Sequence, residues 1–211
     1  MSEWLGRASA DFVSDVWPSL SEASRKRLDV FGADVARFGR SQNLVSRQDP
    51  VGEVARLMEE SVRGGALLRF EPWVELLDIG SGAGFPGIVL ASLNPERRVV
   101  LVERRQGRCD FLERSAARLG LGRVEVRAQD VRSIEGERFG RITGKAVTEA
   151  EEFLRWCRRC LADDGRVLVF QRDQWRPPEG WREDRSAISL AVPGGIDRWA
   201  VLVRPVSAPA G

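Results

Sequence analysis

No histidine and no tyrosine occurs in this chain. Without an imidazole there can be no Ser-His-Asp triad, and the commonest general base and metal ligand are both missing. Lysine is nearly absent too. Lys26 and Lys145 are the only two, so all but two of the 33 basic residues are arginines, which offer a planar fork to phosphates and a face to bases. Cysteine is scarce. Cys157-x-x-Cys160 falls in the helical pattern FLRWCRRCL, with no second pair to complete a four-ligand zinc site, and with Cys109 the count is odd. Buried thiols are therefore expected, with neither a metal nor a disulfide framework. No apolar run approaches the roughly 18 residues that span a bilayer. The opening MSEWLGRASADF carries acids early and lacks the apolar centre of an export signal, so a cytoplasmic protein is expected. The net charge of +2 does not announce a nucleic-acid partner.

What is present fits one α/β unit. The 211 residues, 43% hydrophobic and 30% charged, suffice for one domain with a helical addition. Ser19-Leu20-Ser21-Glu22 reads as a capping box opening a helix over about residues 20–39, with Leu28, Phe31, Val35 and Phe38 on one stripe and Gly39 and Asn43 at its end. A second helix is expected from Pro50 to Val62, closed by Gly64-Gly65. From Trp73 the texture changes to short apolar runs: WVELLDIG, RRVVLVE, VEVRA, RITGKAV and GRVLVFQ. Helical patterns separate most of them, the clearest being QGRCDFLERSAARLG with Cys109, Leu112, Ala116 and Leu119 on one stripe and Gly120 as its stop. Strands alternating with helices imply a parallel sheet. AISLAVP and RWAVLV flank a Gly-Gly turn and read as a terminal hairpin. The expected fold is thus a mostly parallel, Rossmann-like, seven-stranded α/β sheet with a terminal antiparallel hairpin and N-terminal helices. Its expected organisation is a helical extension over 1–70, a sheet domain over 71–205 and a disordered tail over 206–211.

The strongest motif is Leu76-Leu77-Asp78-Ile79-Gly80-Ser81-Gly82-Ala83-Gly84-Phe85-Pro86-Gly87, an apolar strand running into glycines at alternate positions. Gly80 suits a tight turn, and Gly82 and Gly84 leave bare backbone for a ligand; the helix amino end that follows favours an anionic group. A dinucleotide site needs a third glycine where Phe85 stands. The pattern instead resembles the first motif of class I methyltransferases, which use S-adenosylmethionine. A matching acid, Glu103, ends the next strand, placed to accept the two ribose hydroxyls of an adenosine. After the third strand, Asp130 stands where adenine contacts are made, or else caps the following turn.

More of the chain then resembles one family, the small-subunit ribosomal RNA guanine-N7 methyltransferase G, also called glucose-inhibited division protein B. The resemblance runs from about Leu28 to Val203. It rests on Asn43-Leu44-Val45 with Arg47 and Asp49-Pro50, on DIGSGAGFPGIVLA, on Gly144-Lys145-Ala146-Val147, and on Val192-Pro193 with Arg198. It implies Gly80, Phe85, Val131, Arg132 and Lys145 as cofactor contacts. This chain departs from the family at Leu57, where a histidine is usual, and at Glu60, where an aspartate is. Lys145 replaces an arginine, Gln171-Arg172 a Lys-Gly pair, and Trp199 a histidine.

The resemblance implies S-adenosylmethionine as cofactor and ribosomal RNA, or the small ribosomal subunit, as partner; a monomer is expected. Guanine N7 is an exposed lone pair that needs alignment rather than deprotonation, which suits a chain without histidine. Glu60 and Lys145 are the candidate catalytic residues, with Glu60 or Asp130 placed to stabilise charge developing on the purine. Arg47, Arg56, Arg198 and the Arg104-Arg105 pair are candidate RNA contacts. A small-molecule methyltransferase and a non-catalytic cofactor- or RNA-binding relative are the alternative readings.

Overall fold

The computed structural model describes residues 16–18, 20–39, 44–45, 48–70, 72–172, 175–190 and 198–206. The expected contacts Asn43 and Arg47, the Val192-Pro193 pair, the Gly-Gly turn and the tail beyond residue 206 lie outside the described residues. Helix α1 (Glu22–Phe38) starts two residues later than the capping box suggests: Ser21 is the N-cap, its hydroxyl accepting from the Ser24 amide. Helix α2 (Pro50–Gly65) is capped by the Asp49 side chain, which accepts from the Gly52 amide. As expected, Gly64 and Gly65 are the last two residues of this helix, and both are buried: a Cβ at Gly64 would come within 2.6 Å of the Phe170 ring and one at Gly65 within 2.4 Å of Leu90.

The remaining elements are β1 (Glu75–Ile79), α3 (Gly87–Leu93), β2 (Arg98–Glu103), α4 (Gln106–Arg118), β3 (Val124–Ala128), β4 (Phe139–Gly144), α5 (Ala150–Cys160), β5 (Leu161–Gln171), β6 (Trp181–Ser189) and β7 (Trp199–Pro205). They build one seven-stranded sheet in the order β3-β2-β1-β4-β5-β7-β6. All neighbours are parallel except those of β7, which runs antiparallel to both β5 and β6. This is the expected class I methyltransferase architecture with one reversed strand. The hairpin's first strand begins well ahead of AISLAVP, at Trp181.

Alternation along the strands explains why both faces are covered. In β2, Val99 and Leu101 join the core beneath α1 to α4, while Val100 and Val102 join the core beneath α5. Side chains of a strand point to opposite faces in turn, so a strand apolar at every position must be buried on both. Among the described residues no helix is long and apolar enough to cross a membrane.

Register then fixes the site. Ile79 of β1 is level with Val102 of β2 and with Gly144 of β4. Their successors Gly80, Glu103 and Lys145 therefore come side by side at the carboxyl edge of the sheet. Glu103 is level with Ala128 and Gly144 with Val169, which brings Gln129 and Phe170 to the same edge. The order reverses at β1, where β2 lies on one side and β4 on the other, and such a switch point opens a crevice beyond the carboxyl ends of the strands.

Candidate active site

Two recesses lie along this edge, both lined by Ala146 and Val147. The first, of about 340 Å³, is bounded by Ile79, Gly80, Val102, Glu103, Asp130 and Trp156, among others. The second, of about 600 Å³, is bounded by Glu60, Lys145, Phe170, Arg172, Trp175 and Arg198, among others. Both volumes suit a small organic ligand or a nucleotide.

The glycine loop meets the first recess through its backbone. Gly80 turns at φ +67° and its amide donates to Val102 O at 2.8 Å; a Cβ there would press within 3.0 Å of Val147. Gly82, at φ +54°, donates its amide to Glu103 Oε2 at 3.1 Å. Gly84 and Phe85 look elsewhere. A Cβ at Gly84 would strike Phe31 and Ile88, and the Phe85 ring packs 5.1 Å from that of Phe31, so at both positions the side chain or its absence serves the core. Behind the loop, Asp78 is fully buried, with Oδ2 accepting from the Gly87 amide at 3.1 Å. Burial raises its carboxyl to about 7.

Glu103 is 7% exposed, so it is no solvated strand-end glutamate. Its Oε1 accepts from the amides of Arg104 and Arg105 at 2.9 Å each, and Arg108 stands 3.7 Å from Oε2. This fixes the carboxylate at the mouth of the recess, flanked by the apolar side chains of Val102 and Val131. That combination fits the polar and apolar halves of an adenosine. Asp130 takes the capping role: it accepts from the Arg132 amide at 2.9 Å and is held by the Arg132 guanidinium at 2.9 and 2.8 Å. The Arg132 hydrogen bond keeps its carboxyl down at about 2, while the side chain still lines the recess.

Lys145 faces the second recess, not the first. There the charged residues singled out from sequence come together. Glu60, 1% exposed, binds Arg56 Nη1 at 2.6 Å and Arg198 Nε at 3.1 Å through Oε1, and Lys145 Nζ through Oε2. Glu60 thus lines the second recess with its carboxylate already shared among three cations. Asp130 is likewise committed, to Arg132. Burial lowers the Lys145 ammonium to about 8, against the opposing pull of Glu60. Two of the departures noted above, Glu60 and Lys145, are thus partners: the longer acid meets the changed cation. Arg104 and Arg105 line the first recess beside Glu103, apart from this cluster.

Sequence reasoning did not single out Trp156, Trp175, Phe170 or the strained Ala146. Ala146 sits at φ +54°, unusual for a residue with a Cβ, where the two recesses meet. Trp156 lies three residues after Phe153 and beside Cys157, so its spacing reads as core.

Residues 24–190 match the family described as rRNA small subunit methyltransferase G. A ribosomal RNA small subunit methyltransferase G of Marinobacter nauticus is 34% identical over 203 residues, covering 91% of this chain and 90% of that protein. The same-named protein of Halorhodospira halophila is 32% identical, covering 77% and 76%. Among solved structures, MtNAS in complex with S-adenosylmethionine has a TM-score of 0.60 at 20% identity, over 82% of this chain and 72% of that one. TrmN from Thermus thermophilus has a TM-score of 0.52 at 21% identity, over 73% and 54%. These two likenesses bear on the fold alone.

Proposed function

Because the chain belongs to the rRNA small subunit methyltransferase G family and takes S-adenosylmethionine as its cofactor, we propose that it methylates N7 of a guanine in small-subunit ribosomal RNA. The observation that carries the reading is Glu103, a buried carboxylate tied to the Gly82 amide beside a recess of nucleoside size. The cofactor, when bound, supplies an electrophilic methyl. Glu103 holds its ribose hydroxyls, Val131 and the backbone around Asp130 and Arg132 border its adenine, and the bare backbone of Gly80 and Gly82 receives the rest. The guanine enters the second recess, where Trp175 and Phe170 offer faces for stacking and Arg198 and Arg172, with Arg56 behind them on Glu60, meet the RNA backbone.

N7 carries a lone pair and needs no base to expose it. What the protein contributes is alignment and exclusion of water, and alignment alone is worth roughly 7–11 kcal/mol in favourable cases. No histidine is required, and none is present. Arg56 and Glu60 belong to α2, so under this reading the N-terminal helical extension forms part of the substrate side. The protein acts as a cytoplasmic monomer on the small subunit.

The test is labelled-methyl transfer from S-adenosylmethionine to small ribosomal subunits, and to their naked RNA, from a strain lacking this protein, followed by mapping of the modified base. The expected product is one N7-methylguanine, and Glu103→Ala should reduce transfer at least a hundredfold. Turnover on a metabolite with none on either RNA substrate would decide for the small-molecule alternative.

A further inference from the structure

Glu60 is an acid in a place meant for polyanions. It projects from α2 onto the sheet edge because Gly64, one turn on, lets that helix lie against Phe170 of β5 and Ala200 of β7. Its carboxylate is 1% exposed, while Arg56 and Arg198 around it are 32% and 23% exposed and Lys145 is 8% exposed. A buried carboxylate that gathers three cations from three elements fixes where their positive ends stand. Arg56 comes from α2, Lys145 follows β4 and Arg198 precedes β7. Arg198 and Lys145 line the second recess, and Lys145 is further placed by the Phe170 ring, 5.6 Å from its Nζ.

Resting on the function proposed above, we propose that Glu60 is a positioning residue that sets Arg56, Lys145 and Arg198 as one preformed grip on the sugar–phosphate backbone of the RNA. Preorganised donors bind an anion without first paying the ordering of long side chains, so a negative charge here strengthens the hold on a polyanion. The simple expectation from net charge is the reverse, that removing an acid tightens RNA binding. The groups facing Lys145 are Glu60 and Arg56 from α2, Arg198 before β7 and Arg172 after β5, with Glu53 beyond Arg56 and Glu149 across the recess. Glu60 is the acid in direct contact with the ammonium; without it, burial and the neighbouring arginines drive Lys145 toward its neutral form.

The experiment compares the full-length wild-type chain with Glu60→Gln, Glu60→Asp and the pair Glu60→Asp/Lys145→Arg. Readouts are anisotropy of a fluorescent single-stranded RNA oligonucleotide, methyl transfer to small subunits across pH, and calorimetry with S-adenosylhomocysteine. Glu60→Gln should raise the RNA Kd at least tenfold at pH 7 and lower kcat/KM as much. It should also move the alkaline limb of activity, near pH 8 in the wild type, downward by a pH unit or more, with cofactor affinity changed less than twofold. If Glu60→Gln does not fold, the other variants decide: Glu60→Asp should lose at least threefold, and Lys145→Arg, with its longer reach, should restore most of that loss. RNA binding as tight as wild type or tighter in Glu60→Gln, with an unmoved pH limb, would overturn the inference. So would a loss confined to cofactor affinity, which would assign the grip to the methionine carboxylate. A wild-type chain inactive on ribosomal RNA would instead overturn the function on which the inference rests.

Discussion

Asp78 shows how much one carboxyl can hold. Fully buried behind the glycine loop, it caps α3 through the Gly87 amide, and burial lifts it from an ordinary 3.8 to about 7. A carboxyl whose proton is held more tightly in the folded state makes the protein less stable as pH rises from the unfolded value to the folded one. Stability should therefore fall between about pH 4 and pH 7 by up to a few kcal/mol, at about 1.4 kcal/mol per pH unit. Asp78→Asn keeps an acceptor for the Gly87 amide and removes the titration. Urea unfolding across that range should show a flatter profile than wild type, with the variant the more stable of the two at pH 7. A slope unchanged by the substitution would mean that other groups carry it. Glu103 lies at the same edge in a contrary environment: three backbone amides donate to its carboxylate and fix it at the mouth of the recess.

At the scale of elements, two glycines in two helices separate packing from propensity. Gly64 in α2 has the Phe170 ring 2.6 Å from where its Cβ would be, whereas Gly107 in α4 has nothing within 4 Å. Alanine gains up to about 1 kcal/mol of helix propensity at either site, less in a first turn such as that of Gly107. At Gly64 overpacking costs about 1–3 kcal/mol and displaces the ring that faces Lys145. Thermal unfolding should thus show Gly107→Ala raised by a degree or two and Gly64→Ala lowered by several, the latter with reduced methyl transfer. The pair also shows what the sequence conveys and what it withholds. The strands were legible because alternation and apolar runs depend on near neighbours, as in RRVVLVE, whereas their order in the sheet was not. The glycine loop and Glu103 were legible because a strand end and its turn are local. Gly64-Gly65 were legible as the helix end, but their packing against Phe170 and Leu90 was not, because those partners are remote in sequence, and the same distance hid the joining of Glu60, Lys145 and Arg198. Which of Ser19 and Ser21 caps α1 was a contest between two equivalent residues that only packing resolves. Asp130 was open between two roles, and the structure gives it the cap without removing it from the recess.

At the scale of the molecule, a net charge of +2 contrasts with a substrate that is a polyanion. Long-range attraction is weak for such a protein, so its hold on RNA must come from the few cations that reach the backbone. The salt dependence measures how many phosphates they neutralise, with log Kd rising by about 0.7 per phosphate for each tenfold rise in salt on a single strand. Arg56, Lys145 and Arg198, held together by one carboxylate, cover between one and three phosphates. Anisotropy titrations between about 50 and 200 mM salt should then show affinity falling by about three- to twentyfold. A fall of a hundredfold or more would extend the RNA path beyond this cluster, toward Arg104 and Arg105 at the neighbouring recess. Binding indifferent to salt would leave no place for RNA at all, and the two recesses would then belong to a cofactor and a neutral small molecule.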